Sequence, residues 1–273
     1  MIATGDTVYT GIWPTIKLYM AVLRTAGRNL LGHKREDEEP FIPYVIHKDD
    51  VCLHIGATDG RHSYTMAKTL QDGAGYVLAF EPSPVTFPIL ERVIKLHGIA
   101  HKVKPARRAF SDKTQMLKLN VPYKRTGRLA NSFGFTCAAN ETAQKGRNGE
   151  DNPNIISFDV QAITIDDVVG QNLQKVDFIR MDIEGSERLA LNGGWETIKK
   201  FKPHLLIEIH PTLLENMFNA STASIFDDFK ALGYDIYHLE GGKLVASPDL
   251  NIRPWKDYFF MHKDRPHNLP LAA

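Results

Sequence analysis

Short apolar runs recur along this chain, and most are followed by a glycine- or proline-bearing turn and then a stretch with helical spacing. Val51 to Ala57, Tyr76 to Phe80, Val176 to Asp182 and His204 to His210 are dense in apolar residues and too short for buried helices. They predict central parallel strands, because strands covered on both faces lose the apolar–polar alternation. Ser63 to Leu70 and the helix beginning at Ser83, with Ile89, Leu90, Val93 and Leu96 on one face, supply the first crossovers. A strand is expected over Val103 to Phe110, and two more over Met116 to Val121 and Ser157 to Ile165. Leu189 to Lys200 reads as helix interrupted at Gly193-Gly194, and residues 211 to 232 as helix. Tyr234 to Leu239 and Tyr258 to His262 are the last strands, with Glu240-Gly241-Gly242 as a hairpin turn.

Outside this α/β body the pattern changes. After Trp13-Pro14, the segment Thr15 to Leu31 places Ile16, Tyr19, Met20, Leu23, Gly27, Leu30 and Leu31 at helical spacing, and Pro14 suits the first turn. Its flank carries Lys17, Arg24 and Arg28, which fits an anionic membrane surface or a partner, although docking onto the chain's own domain is the favoured reading. The charged run His33 to Glu39, closed by Pro40 and Pro43, reads as a linker that contributes spacing rather than chemistry. Residues 122 to 156 are polar, rich in Gly and Asn, and carry Lys124, Arg125, Arg128, Lys145 and Arg147; they read as a disordered excursion or, the favoured reading, a substrate lid with Phe133 and Phe135 as apolar contacts. The organisation is thus an N-terminal helix and linker over 1–45, a catalytic domain over 46–263, and a mobile tail over 264–273.

Composition narrows the function classes. The 273 residues are 43% hydrophobic and 24% charged, ordinary for a globular domain. With 33 Lys and Arg against 32 Asp and Glu, there is no global basic field of the kind nucleic-acid binding uses, so no nucleic-acid partner is expected. Cys52 and Cys137 form no metal-ligand spacing, and Cys52 falls in an apolar strand. No apolar run reaches membrane-spanning length, and a cytoplasmic protein is the expectation. The oligomeric state is not legible.

The candidate chemistry lies at strand ends, where open α/β sheets bind ligands. The turn Gly56-Ala57-Thr58-Asp59-Gly60 follows the first strand, and Glu81 ends the second roughly twenty residues later, a spacing that lets a carboxylate accept hydrogen bonds from ribose hydroxyls. The turn lacks the second glycine that pyrophosphate binding needs, so a nucleoside with an amino-acid tail fits better than a nicotinamide dinucleotide. Asp182 and Glu184 end the central run, and Glu208 and His210, which strand alternation puts on the same side, end the next. If those strands are neighbours, two acid-bearing ends and an imidazole converge.

These residues resemble the FkbM family of S-adenosylmethionine-dependent methyltransferases over roughly Val51 to His210. The resemblance rests on RMDIEGSE followed by LNGGWETIKKFKPHLLIEIH, with HIGATDG and Ser63, LAFEPSP, AFSD and ITIDD in order before them. It implies a Rossmann-like class I fold, α/β, with a seven-stranded, mostly parallel sheet, its last strand antiparallel, and helices on both faces. It also implies O-methylation of a hydroxyl on a sugar, glycan or natural product. Carried over by position, His54, Gly56, Ala57, Thr58, Gly60 and Ser63 would surround the amino-acid end of S-adenosylmethionine. Glu81 with Pro82 would hold the ribose, Ser111-Asp112 would face the adenine, and Asp182 and Glu184 would border the transfer site. The family usually has Asp at position 54 and Asn at 58, so His54 removes an acceptor and Thr58 keeps a hydroxyl.

Methyl transfer to a hydroxyl gains from a base within hydrogen-bond reach, and an imidazole has the most suitable ordinary pKa. His210 is therefore the expected base, with Asp182 and Glu208 orienting it or the substrate. The same three residues also form a ligand set for a divalent ion, which is the less favoured use. The alternatives are a methyltransferase-like module that binds the cofactor but has lost catalysis through His54, and a nicotinamide-dependent oxidoreductase.

Overall fold

The computed structural model describes residues 12–32, 36–122, 135–138, 155–218, 221–247 and 256–271. Eight strands form the main sheet: β1 (Val51–Ile55), β2 (Tyr76–Phe80), β3 (Val103–Ala106), β8 (Phe178–Met181), β9 (His204–Ile209), β10 (Tyr234–Glu240), β11 (Lys243–Ala246) and β12 (Lys256–His262). Their spatial order is β11-β10-β12-β9-β8-β1-β2-β3. β3, β2, β1, β8 and β9 run parallel, and β12 pairs antiparallel with both β9 and β10. This is the expected Rossmann-like arrangement of seven strands with a reversed last strand, plus β11, which the Gly241-Gly242 hairpin folds back onto the edge.

Period-two side-chain alternation divides the core. Leu53, Ile55, Ile179, Met181, Leu205, Ile207 and Phe260 point to one face. There they meet α4 (Ile165–Asn172), α5 (Glu187–Asn192), α6 (Trp195–Phe201), α7 (Pro211–Phe218) and α8 (Thr222–Ala231). Cys52, Phe178, Leu206 and Phe259 point to the other, under α2 (Arg61–Thr69), α3 (Phe87–Leu96) and the 3-10 turn Glu39–Tyr44. The same alternation puts His54, Arg180, Glu208 and Asp257 on this second face, near the carboxyl ends of the parallel strands.

Three expectations need correction. The strand foreseen over Val103 to Phe110 is two: β3 ends at Ala106, and β4 (Ala109–Phe110) leaves the main sheet to pair with β7 (Ile155–Ile163). Together with β5 (Gln115–Pro122) and β6 (Phe135–Ala138) these make a separate four-stranded sheet around Leu117, Leu119, Val160 and Ala162. The foreseen mobile tail is packed through Leu271: Leu269 is buried, Asn268 N–H donates to the Tyr44 carbonyl, and Leu271 bridges to Leu244. α1 (Ile12–Leu31) does dock on the domain, but with Leu18 and Val22 against Ile89 and Val93 of α3, which leaves the apolar stripe through Leu23 facing outward. Of the anticipated lid, Phe133 and the five basic residues lie outside the described residues, and Phe135 begins β6.

Candidate active site

A cavity of about 190 Å³ opens beyond the carboxyl ends of β1, β2 and β8. Its back wall is the turn after β1. Gly56 and Ala57 donate their N–H groups to the Phe80 carbonyl, and Gly60 N–H closes the turn onto the Ala57 carbonyl. Gly56 sits at φ +83°, and a Cβ there would lie 1.8 Å from the Asp182 carbonyl oxygen, so only glycine lets the turn press against the end of β8. Thr58 and Glu184 both line the cavity with positive φ, 50° and 55°. Non-glycine residues held this way cluster at functional sites, where surrounding structure outweighs their local preference.

Glu81 forms the floor. Its two carboxylate oxygens accept from Thr58 N–H and Ser83 N–H, each at 2.9 Å, which fixes the side chain. Burial pushes its pKa up to about 7; the two N–H donors oppose that rise, and the charges of Asp182 and Asp59 add to it. Phe110 and Leu119 of the small sheet, with Arg108, close one side of the cavity, and Phe80 meets Phe110 edge to face at 4.9 Å.

The Asp182 side of the cavity is built around Arg180, which is wholly buried. Its guanidinium reaches Asp257 at 2.9 Å, Asp182 at 3.5 Å and Glu38 at 3.9 Å. Since β8 and β9 are parallel neighbours with Met181 opposite Ile207, Asp182 and Glu208 come together as expected. Burial, the Asp182 charge and a hydrogen bond to Asp182 push the Glu208 carboxyl up to about 11, so it stays protonated and donates. Burial likewise lifts Asp257 to about 7, although Arg180 pulls the other way. Glu187 folds back to accept from the Gly185 and Ile183 N–H groups, and burial raises it to about 8; it organises the loop that carries Glu184 rather than serving only the positive end of α5.

Of the residues singled out from the sequence, Gly56, Ala57, Thr58, Glu81, Pro82, Asp182 and Glu184 line this cavity. Gly60 caps α2 behind the turn. His54 and Ser63 lie behind it too: both are buried, and they hydrogen-bond each other at 2.7 Å. Burial drives the His54 pKa well below its ordinary value, so the ring is neutral. Ser111 and Asp112 do not line the cavity. The pairing of β4 with β7 draws Ser111 inward, where its N–H bonds the Ile163 carbonyl and its hydroxyl bonds Asp112. His210 lies between β9 and α7, outside the cavity lining, with its carbonyl accepting from Leu213 and Leu214.

The foreseen ligand set of Asp182, Glu208 and His210 is not gathered within metal reach; among the described residues that grouping is Glu36, Glu38 and His62. Glu38 is committed to His62 at 2.9 Å and to Arg180; burial raises its pKa, and those partners reverse the shift to about 2. The linker reading of 33–39 therefore misses chemistry. Also missed are Arg180, Asp257, Asp59 and Arg28. The alternating strand positions could have flagged Arg180, an arginine inside an otherwise apolar run, whereas no local signal marks the others.

A family model described as the methyltransferase FkbM domain matches residues 54–236. Among solved structures, a methyltransferase FkbM from Methylobacillus flagellatus KT is 17% identical with a TM-score of 0.49, covering 92% of this chain and 56% of that one. An S-adenosylmethionine-dependent O-methyltransferase from Thermotoga maritima is 10% identical with a TM-score of 0.43, covering 89% and 73%. The chain therefore spans little more than half the length of the first of these structures. No curated protein matches. With the family model spanning both the Gly56 turn and the Asp182 loop, this chain belongs to the FkbM methyltransferase family.

Proposed function

We propose that this protein uses S-adenosylmethionine to methylate a hydroxyl group of a sugar, glycan or natural product. The observation that carries the reading is Glu81, a carboxylate pinned by two backbone N–H groups on the floor of a cavity whose back wall is the tight Gly56 turn. The donor set fits the cofactor: Glu81 for a ribose diol, the Phe110 and Leu119 wall for the base, and the acidic lining of Glu81, Asp182 and Glu184 for a sulfonium cation. When bound, the cofactor supplies an electrophilic methyl group.

The protein's own contribution is then positioning and proton transfer. Arg180, 3.5 Å away, and the protonated Glu208 orient Asp182 at the cavity edge, where it can accept the proton of an acceptor hydroxyl. Asp182 is preferred to His210 as base because it lines the cavity and His210 does not. The module reading keeps one supporting observation: His54, buried and neutral, offers the turn no charge.

Calorimetric titration of the full chain with S-adenosylmethionine and S-adenosylhomocysteine tests the proposal. Saturable binding is expected, weakened at least about tenfold in Glu81→Ala, since a lost charge-assisted hydrogen bond costs about 1.5–3 kcal/mol. Methyl transfer to hydroxylated sugars and natural products should follow, abolished in Asp182→Asn and retained in His210→Ala. No binding by the folded protein would overturn the cofactor assignment, and binding without turnover on any acceptor would favour the module.

A further inference from the structure

The face of α1 that its sequence marks as most apolar is the one the fold leaves bare. Leu18 and Val22 are 3% and 4% exposed against α3, whereas Leu23, Leu30 and Leu31 are 63%, 68% and 72% exposed. Ile16, Tyr19 and Met20 join them, making a stripe about 22 Å long at 1.5 Å per residue. A contiguous apolar surface on one helix is a contact site more often than an accident. The stripe continues onto the body through the exposed Leu96 of α3, which shares a shallow groove with Leu30.

Charge decides the occupant. The helix Ile12–Leu31 contains no acidic residue. Lys17 and Arg24 are exposed along one edge of the stripe, and the Arg92 guanidinium lies over the Tyr19 ring at 6.0 Å on the other. A basic margin beside an apolar stripe with an aromatic residue at its border is the composition of a helix lying in the plane of an anionic bilayer. A second copy would bring Lys17 and Arg24 toward their own counterparts with no carboxylate on the helix to answer them. Among the described residues no helix is long and apolar enough to cross a membrane, so the contact is peripheral.

We propose that the outward face of α1 is a membrane-docking surface that binds anionic lipid bilayers. It is anchored for that role from behind, where Thr25 and Arg28 hold Asp59 of the cavity turn and Asn29 meets His97. Docking would therefore hold the cavity about one helix diameter, roughly 10 Å, from the headgroups.

Vesicle flotation with the full chain tests this, comparing phosphatidylcholine alone with phosphatidylcholine containing phosphatidylserine. Binding is expected only with the anionic lipid, and high salt should weaken it. Met20→Glu/Leu23→Glu should lower vesicle affinity at least about tenfold, and Lys17→Glu or Arg24→Glu about fivefold each. Thermal unfolding and S-adenosylmethionine titration should be unchanged in all of these variants, which separates loss of docking from loss of fold. Absence of binding by the folded parent protein would overturn the proposal. So would a stable dimer in sedimentation equilibrium that Met20→Glu/Leu23→Glu dissociates, since the stripe would then be covered by a second copy.

Discussion

Two carboxylates mark the two halves of the cavity, and they are held in opposite ways. Glu81 is fixed by backbone N–H groups from its own strand end and from the neighbouring turn, and among the described residues no cation pairs with it. Asp182 depends on Arg180, which also serves Asp257 and Glu38 from segments far apart in the chain. The first arrangement is local and rigid, suited to gripping a ligand. The second is a network of carboxylates shared around one buried cation, and it is exposed to the loss of one side chain.

Breaking the network should give the largest effect. Arg180→Met would leave three carboxylates without their common cation, and denaturant unfolding should show a loss of about 3–5 kcal/mol. A change under about 1 kcal/mol would mean that the network is better solvated than its geometry implies. The backbone-held half should respond to a single methyl group. Gly56→Ala places a Cβ against the Asp182 carbonyl at a positive φ, and a loss of about 2 kcal/mol together with weakened cofactor binding is expected from the same unfolding and titration measurements.

The smallest effect sharpens the comparison through pH. Glu208, Glu187, Asp257 and Glu81 have folded pKa values of about 11, 8, 7 and 7, above the ordinary carboxylate value. The folded protein thus keeps protons that the unfolded chain releases. Stability from these groups is present at low pH and is lost as pH rises through the folded values. His54 and His204 are shifted down by burial, so their contribution is lost only as pH falls below the ordinary histidine value. Between pH 7 and 9 the carboxyl groups dominate, and the thermal midpoint of the ligand-free protein should fall steadily. Glu208→Gln should flatten that slope more than Glu81→Gln, because Glu208 remains protonated across the whole interval. Equal slopes in the two variants would deny the network its special character.

How much was readable follows the same division. The Gly56 turn and Glu81 were legible because a strand, a turn and the next strand are bonded through neighbours in sequence. The pairing of Asp182 with Glu208 was legible because sequential parallel strands tend to be adjacent. His210 was placed by strand alternation, but β9 ends at Ile209 and alternation ends with it. Ser111-Asp112 was placed by the resemblance, just after a single strand expected over residues 103 to 110, and the second sheet redirected them.

By itself the sequence determined the periods of its elements, the turns between them and the family to which the chain belongs, because these depend on neighbours along the backbone. Tertiary structure decided which face of α1 is covered and which side chains surround Arg180. Those choices depend on what distant segments present: Ile89 and Val93 match Leu18 and Val22, Asp59 takes Thr25 and Arg28, and the carboxylates of Glu38 and Asp257 arrive from opposite ends of the chain. A helix can offer two adhesive faces, and its sequence cannot say which one the rest of the molecule will meet.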